Sequence, residues 1–132
     1  MQVEIFTLCD YAQDYGGKLF INGTFDSIHS QGFPFVYPSF SIAGRFRFSE
    51  KEFGTHKLKL TGKTPDGAEL IQPIEGDITI QRPAPNVDYA STNFSINFAQ
   101  LPFEKPGVYT FELLVDGESK SELKVIAFTQ QQ

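Results

Sequence analysis

From Val3 to Ala127 the apolar residues of this chain recur at two-residue spacing, and few windows carry the i, i+3, i+4, i+7 stripe that an amphipathic helix buries. Successive side chains of a strand point to opposite faces, so this period admits sheets and excludes a helical bundle. Val3, Ile5 and Thr7 alternate with Glu4, Phe6 and Leu8, a first strand apolar on both faces in its second half, which places it well inside a sheet. Gly16 and Gly17 accept the positive φ of a tight turn, and Leu19, Ile21, Gly23 and Phe25 resume the alternation. Phe40, Ile42, Gly44, Phe46 and Phe48 face one way and Ser41, Ala43, Arg45 and Arg47 the other. After the turn SEKEFG, His56, Leu58, Leu60 and Gly62 alternate with Lys57, Lys59, Thr61 and Lys63, so these two strands are expected to form a hairpin.

Turn chemistry divides the rest. Pro65-Asp66-Gly67 and Asp116-Gly117 are turn signals, and the RPAPN run at Arg82–Asn86 breaks pairing. Between them lie Ile71, Ile74, Ile78 and Ile80, on either side of Glu75-Gly76, and then Phe94, Ile96 and Phe98. Tyr109, Phe111, Leu113 and Val115, then Leu123, Val125 and Ala127, supply the last two strands. The segment from His29 to Pro38 holds Gly32, Pro34 and Pro38 and is assigned to a connection, because proline donates nothing to a ladder. The expected fold is an all-β antiparallel Ig-like sandwich of about seven to nine strands, with residues 129–132 frayed.

The 132 residues are 40% hydrophobic and bury roughly two thirds of their unfolded surface, enough for one domain spanning 1–132 without staples. Fourteen Phe stand where Trp is absent, and the single Cys excludes an intramolecular disulfide framework. The first residues, MQVEIFTLCD, hold neither a basic region nor an apolar run of signal length, and no segment reaches the ~20 apolar residues of a membrane span. A cytoplasmic location without membrane association is the expectation.

Three segments, LCDYA at Leu8–Ala12, GGKLFINGTFDSI at Gly16–Ile28 and PGVYTFELLVDG at Pro106–Gly117, resemble a bacterial "domain of unknown function" family. The resemblance implies an Ig-like sandwich and a bacterial source, and it brings no catalytic residues to carry over. Tyr109, three residues after Pro106, is similar to the corner tyrosine of Ig-type domains, whose hydroxyl ties a loop to the strand below.

Catalytic signals are sparse. His29 and His56 fit no HxH or HExxH spacing, and Cys9 ends an apolar strand without a helix N-terminus to activate it. Asp66-Gly67 and Asp116-Gly117 lack calcium-loop spacing, and no phosphate-cradling glycine motif occurs. The expectation is therefore a non-enzyme with no cofactor or metal.

Two features stand above this background. Residues 45–63 carry six basic and two acidic side chains, +4, leaving five basic against fourteen acidic, −9, elsewhere. If Arg47 pairs near Lys57 and Arg45 near Lys59, four cations share one solvent face. Opposed like charges cost up to ~1 kcal/mol per pair, so acids should lie beside them, Glu75 and Asp77 being candidates. Otherwise the basic face docks an acidic protein partner or a second copy. Nucleic acid is excluded by the net charge of −5 and by Phe46 and Phe48 alternating away from the arginines. The second feature is QGFPFVYPSF, where Phe33, Phe35 and Tyr37 sit among prolines. These rings either close the open end of the core as a lid or form a preorganised contact patch. The expected function is a non-catalytic interaction or structural module. The alternative is a small-molecule or glycan binder with a pocket near loop 31–40.

Overall fold

A computed structural model describes residues 1–129 of the chain. Among these residues nine strands form two sheets. The strands are β1 Gln2–Tyr15, β2 Lys18–Phe25, β3 Ser27–Ser30, β4 Phe35–Ser49, β5 Gly54–Lys63, β6 Glu69–Ile80, β7 Tyr89–Phe103, β8 Gly107–Val115 and β9 Glu118–Thr129, with one short 3-10 turn at Glu50–Glu52. The first sheet runs β2-β1-β4-β7 and the second β3-β9-β8-β5-β6. All pairings are antiparallel except β3 with β9, which is parallel, so the expected wholly antiparallel arrangement is corrected to a mixed one.

The turns fall where glycine permits them. Gly16 and Gly17, at φ 59° and 84°, join Tyr15 to Lys18, and Asp116 and Gly117, at φ 52° and 83°, join Val115 to Glu118. Both have the positive φ at both corners that suits the twist of a two-residue hairpin. Gln130–Gln132, expected to fray, lie outside the described residues, whereas Thr129 pairs with Ser30 and belongs to β9.

Two expectations are overturned. β4 and β5 do not form a hairpin: the chain between them crosses from one sheet to the other, and β4 lies between β1 and β7 while β5 lies between β8 and β6. The segment from His29 to Pro38 is mostly strand, with only residues 31–34 between β3 and β4. Pro38 is accommodated because β1 is in register with β4 only as far as Ser41, so no strand on that side needs its missing N–H. On the other side, pairing with β7 passes over Pro38 without a change of register.

The facing sides of the sheets share an aromatic core. Phe40, Ile42, Phe46 and Phe48 from β4 meet Leu60, Phe111, Leu113 and Val125, all buried. Phe40 stacks on Phe98 at 5.0 Å and meets Phe111 edge-on at 6.3 Å. Tyr109 is buried edge-on against Phe103, and its hydroxyl donates to the Lys105 carbonyl at 2.6 Å, closing a corner before β8. A β-bulge in β1 between Val3 and Ile5 changes the strand's phase, so that Val3 and Phe6 both pack on the core. Gly44 leaves space for the ring of Phe94, which occupies the position a Cβ would take. Gly44→Ala should therefore cost about 1–3 kcal/mol through overpacking, measured as a lower urea midpoint at unchanged slope.

Candidate functional site

The cations of the basic segment are divided between the sheets. Arg45 and Arg47 on β4 lie beside Glu4: Arg45 Nε is 3.2 Å from one carboxylate oxygen, and Arg47 Nε is 3.3 Å from the other, in ionic contact without hydrogen-bond alignment. The bulge in β1 brings Glu4 onto this face, a signal absent from a strict two-residue alternation. Arg45 also donates to Asn93 Oδ1 at 2.8 Å, and the Arg47 guanidinium lies 4.3 Å from the centre of the Tyr89 ring. On the other sheet Lys57 opposes Asp77 and Lys59 opposes Glu75, the latter pair at 3.8 Å. The expected single face of Arg45, Arg47, Lys57 and Lys59 is corrected: two separate pairs each face acids. Glu75 and Asp77 do stand beside the lysines as anticipated, lining with them a groove of about 500 Å³.

Phe33, Phe35 and Tyr37 are half-buried and pack against the main core. Tyr37 stacks on Phe25 at 5.7 Å and meets Phe35 and Phe40 edge-on at 6.0 and 5.4 Å. Burial pushes the Tyr37 phenol above its ordinary range, with the Asp10 charge adding to the effect. These rings continue the core beyond Phe40, the geometry of a lid.

Cys9 is fully buried, and burial raises its thiol above the usual value, disfavouring the thiolate that acts as a nucleophile. His29, exposed on β3, is remote from His56 in chain pairing and faces Phe128. His56 sits on β5 with Nδ1 2.6 Å from Asp116 Oδ2 and Nε2 2.5 Å from the Glu52 carbonyl, its ring stacked on Phe48 at 5.1 Å. Both nitrogens face acceptors, and only the imidazolium donates to both. The hydrogen bond to Asp116, then that to the Glu52 carbonyl, holds the His56 pKa above its ordinary 6.5, while the same contact lowers Asp116. This is a latch between the start of β5 and the β8–β9 turn, reinforced by Lys57 N–H donating to Asp116 at 2.9 Å. Among the described residues no three His, Cys, Asp or Glu side chains converge as a metal would require.

A surface not anticipated from the sequence lies on the β1–β2 hairpin. β1 leaves β4 after Cys9, and the hairpin ladder is interrupted opposite Gly23, whose φ is 68° and whose missing side chain admits the Asp10 carboxylate. Beyond this point the hairpin folds across the outer side of β4 to reach β7, two strands away: Asn93 Nδ2 donates to Asp14 Oδ2 and to the Gly17 carbonyl, both at 3.1 Å. Beneath it Cys9, Ala12 and Ala43 are buried together with Leu19 and Ile21. Its opposite face presents Tyr11, Tyr15 and Phe20, which are 48%, 61% and 53% exposed, Tyr15 meeting Phe20 edge-on at 5.8 Å. Gln13, which accepts the Tyr11 hydroxyl, shares that face. The signal was the two-residue spacing of Tyr11, Gln13 and Tyr15, which continues the β1 phase up to the turn glycines.

Two outcomes follow from these contacts. Phe35→Ser and Tyr37→Ser should each lower stability by about 1–3 kcal/mol in urea unfolding, since half-buried rings are lost from the core. For His56, the folded-state pKa lies above the unfolded one, so its contribution is complete below pH 6.5 and is lost as pH rises through the raised value. Asp116, lowered, contributes above its ordinary 3.8 and loses that contribution as pH falls through its folded value. Wild-type thermal stability should therefore decline as pH rises above 6.5, and His56→Gln should flatten that decline in thermal unfolding followed across pH.

No helix among the described residues is long and apolar enough to cross a membrane. The chain matches no curated protein. Residues 4–127, nearly its whole length, match a family of unknown function (DUF6941), and the chain belongs to that family.

Proposed function

We propose that this protein is a non-catalytic, cytoplasmic, Ig-like β-sandwich module that binds a protein partner through the outer face of its β1–β2 hairpin. The corner made by Tyr109 and the two facing sheets support the Ig-like comparison. The observation that carries the binding role is the exposure of Tyr11, Tyr15 and Phe20 on a hairpin whose other face is anchored to β4 and β7. Tyrosine and phenylalanine on a fixed backbone offer large contact area at small entropic cost, and Gln13 and Asn22 add adaptable hydrogen bonding. The paired cations are left as local ion pairs that orient the strands, each partly exposed and worth little in net stability.

The test is the double variant Tyr15→Ser/Phe20→Ser, used with the wild-type chain as bait for proteins of the native host. Unchanged thermal unfolding together with an about tenfold or greater loss of captured partner supports the reading. An undiminished capture profile, or a marked fall in melting temperature that shows the rings to be structural, overturns it.

A further inference from the structure

Among the described residues the two sheets end in four edge strands, β2, β7, β3 and β6, and these differ sharply in how they resist pairing with another chain. An edge strand leaves alternate N–H and C=O groups open along one side, and natural edges are blunted by brevity, charge, proline or irregularity. β3 has four residues. β2 begins with Lys18 and is distorted at Gly23. β6 carries Glu69, Glu75 and Asp77 with Pro73 between them. β7 has none of these defences over most of its length: YASTNFSINFAQLPF contains no charged residue, and its only irregularities, Gln100 at φ 55° and Pro102, come at its end.

We infer that β7 pairs antiparallel with β7 of a second copy, joining the two four-stranded sheets into one of eight strands. Self-pairing is the occupant that the composition fits. In an isologous pairing each strand faces itself in reverse, so any charge near the axis meets its own copy. On β6 such a register sets acid against acid, whereas on β7 no register between Tyr89 and Ala99 carries that cost. Ser91, Asn93, Ser95 and Asn97 make one face of β7 polar and uncharged; Asn93 and Asn97 are held by bonds within the chain, and the Ser95 hydroxyl can both donate and accept. On the other face Phe94, Ile96 and Phe98 pack on the core yet stay partly exposed, leaving apolar surface for the second copy to cover. The run from Tyr89 to Ala99 is long enough for roughly ten interchain hydrogen bonds. Antiparallel pairing keeps like faces on one side, so both hairpins would project from the same face of the joined sheet.

The test compares the wild-type chain with Asn97→Asp/Ala99→Asp by sedimentation equilibrium over a concentration series. Both positions are exposed, and the new carboxylate at 97 keeps an acceptor for the Ser41 hydroxyl that Asn97 now receives. The expected result is a wild-type mass rising from 14.8 kDa toward twice that value, and a variant that weakens association about tenfold or more while its circular dichroism and melting temperature are unchanged. As a second readout independent of any variant, hydrogen exchange of alternate amides between Tyr89 and Ala99 should slow as concentration rises, while those of β6 do not change. A wild-type chain that stays monomeric throughout the series, a dimer that the substitutions leave intact, or concentration-independent exchange in β7 overturns the inference.

Discussion

Phe40 holds the two sheets together. Its ring stacks on Phe98 of the neighbouring strand and meets Phe111 of the opposite sheet edge-on, so one side chain couples pairing within a sheet to packing between sheets. Around it the structure is built from rings of similar size: Phe46 stacks on Phe94 at 5.1 Å, and Phe103 abuts Tyr109. Such packing tolerates little freedom in backbone position. Where two layers approach too closely for a side chain, at Gly44, the sequence supplies none, and the Phe94 ring fills the space. The rings of Phe35 and Tyr37 extend the same aromatic layer, which is why a stretch rich in proline and phenylalanine serves as the beginning of a long strand.

A second, thinner layer lies on the outer side of β4. Small side chains, Ser41 and Ala43 of β4 with Cys9 of β1 beside them, make that surface shallow enough for the β1–β2 hairpin to lie against it, and Ala12, Leu19 and Ile21 complete the contact. The hairpin therefore has two faces with different physical roles. Its inner face contributes burial, and Asn93 fixes its tip by hydrogen bonds to Asp14 and Gly17. Its outer face leaves three aromatic side chains in water, forgoing about 1.5–3 kcal/mol for each large apolar side chain that full burial would bring. An isolated exposed ring is ordinary on a protein surface; three gathered on an anchored hairpin form a patch with the composition of a contact surface.

Strand positions were legible in the sequence because alternation and turn chemistry are local. The Gly16-Gly17 and Asp116-Gly117 turns and the core phase of Tyr109, Phe111, Leu113 and Val115 are all found in the structure. Partition between sheets was not legible. A strand–turn–strand pattern such as Phe40–Lys63 satisfies its hydrophobic period equally as a hairpin or as a crossing between sheets, and the crossing separates Arg45 and Arg47 from Lys57 and Lys59. Phase changes were hidden for a related reason. One extra residue near Glu4 reverses the faces of β1, and this bulge, with no glycine or proline to mark it, turns Glu4 toward the arginines. Phe103 was missed as core because it follows Pro102 and precedes the turn into β8, yet it is fully buried.

The charge distribution acquires a different meaning from this partition. The six cations of residues 45–63 do not form a field of their own, since Glu4, Glu75 and Asp77 stand against four of them. Net charge of −5 disfavours association between copies at long range, but at physiological ionic strength such repulsion is screened beyond ~8 Å. Within that distance the charge of the meeting strands decides whether two edges tolerate each other. The acids that offset Lys57 and Lys59 lie on β6, and by occupying that edge they also guard it. β7 has no charged side chain with which to offset a neighbour or repel a second edge. It contributes Asn93 to the hairpin anchor and phenylalanines to the core, and among the described residues no strand pairs with its outer edge.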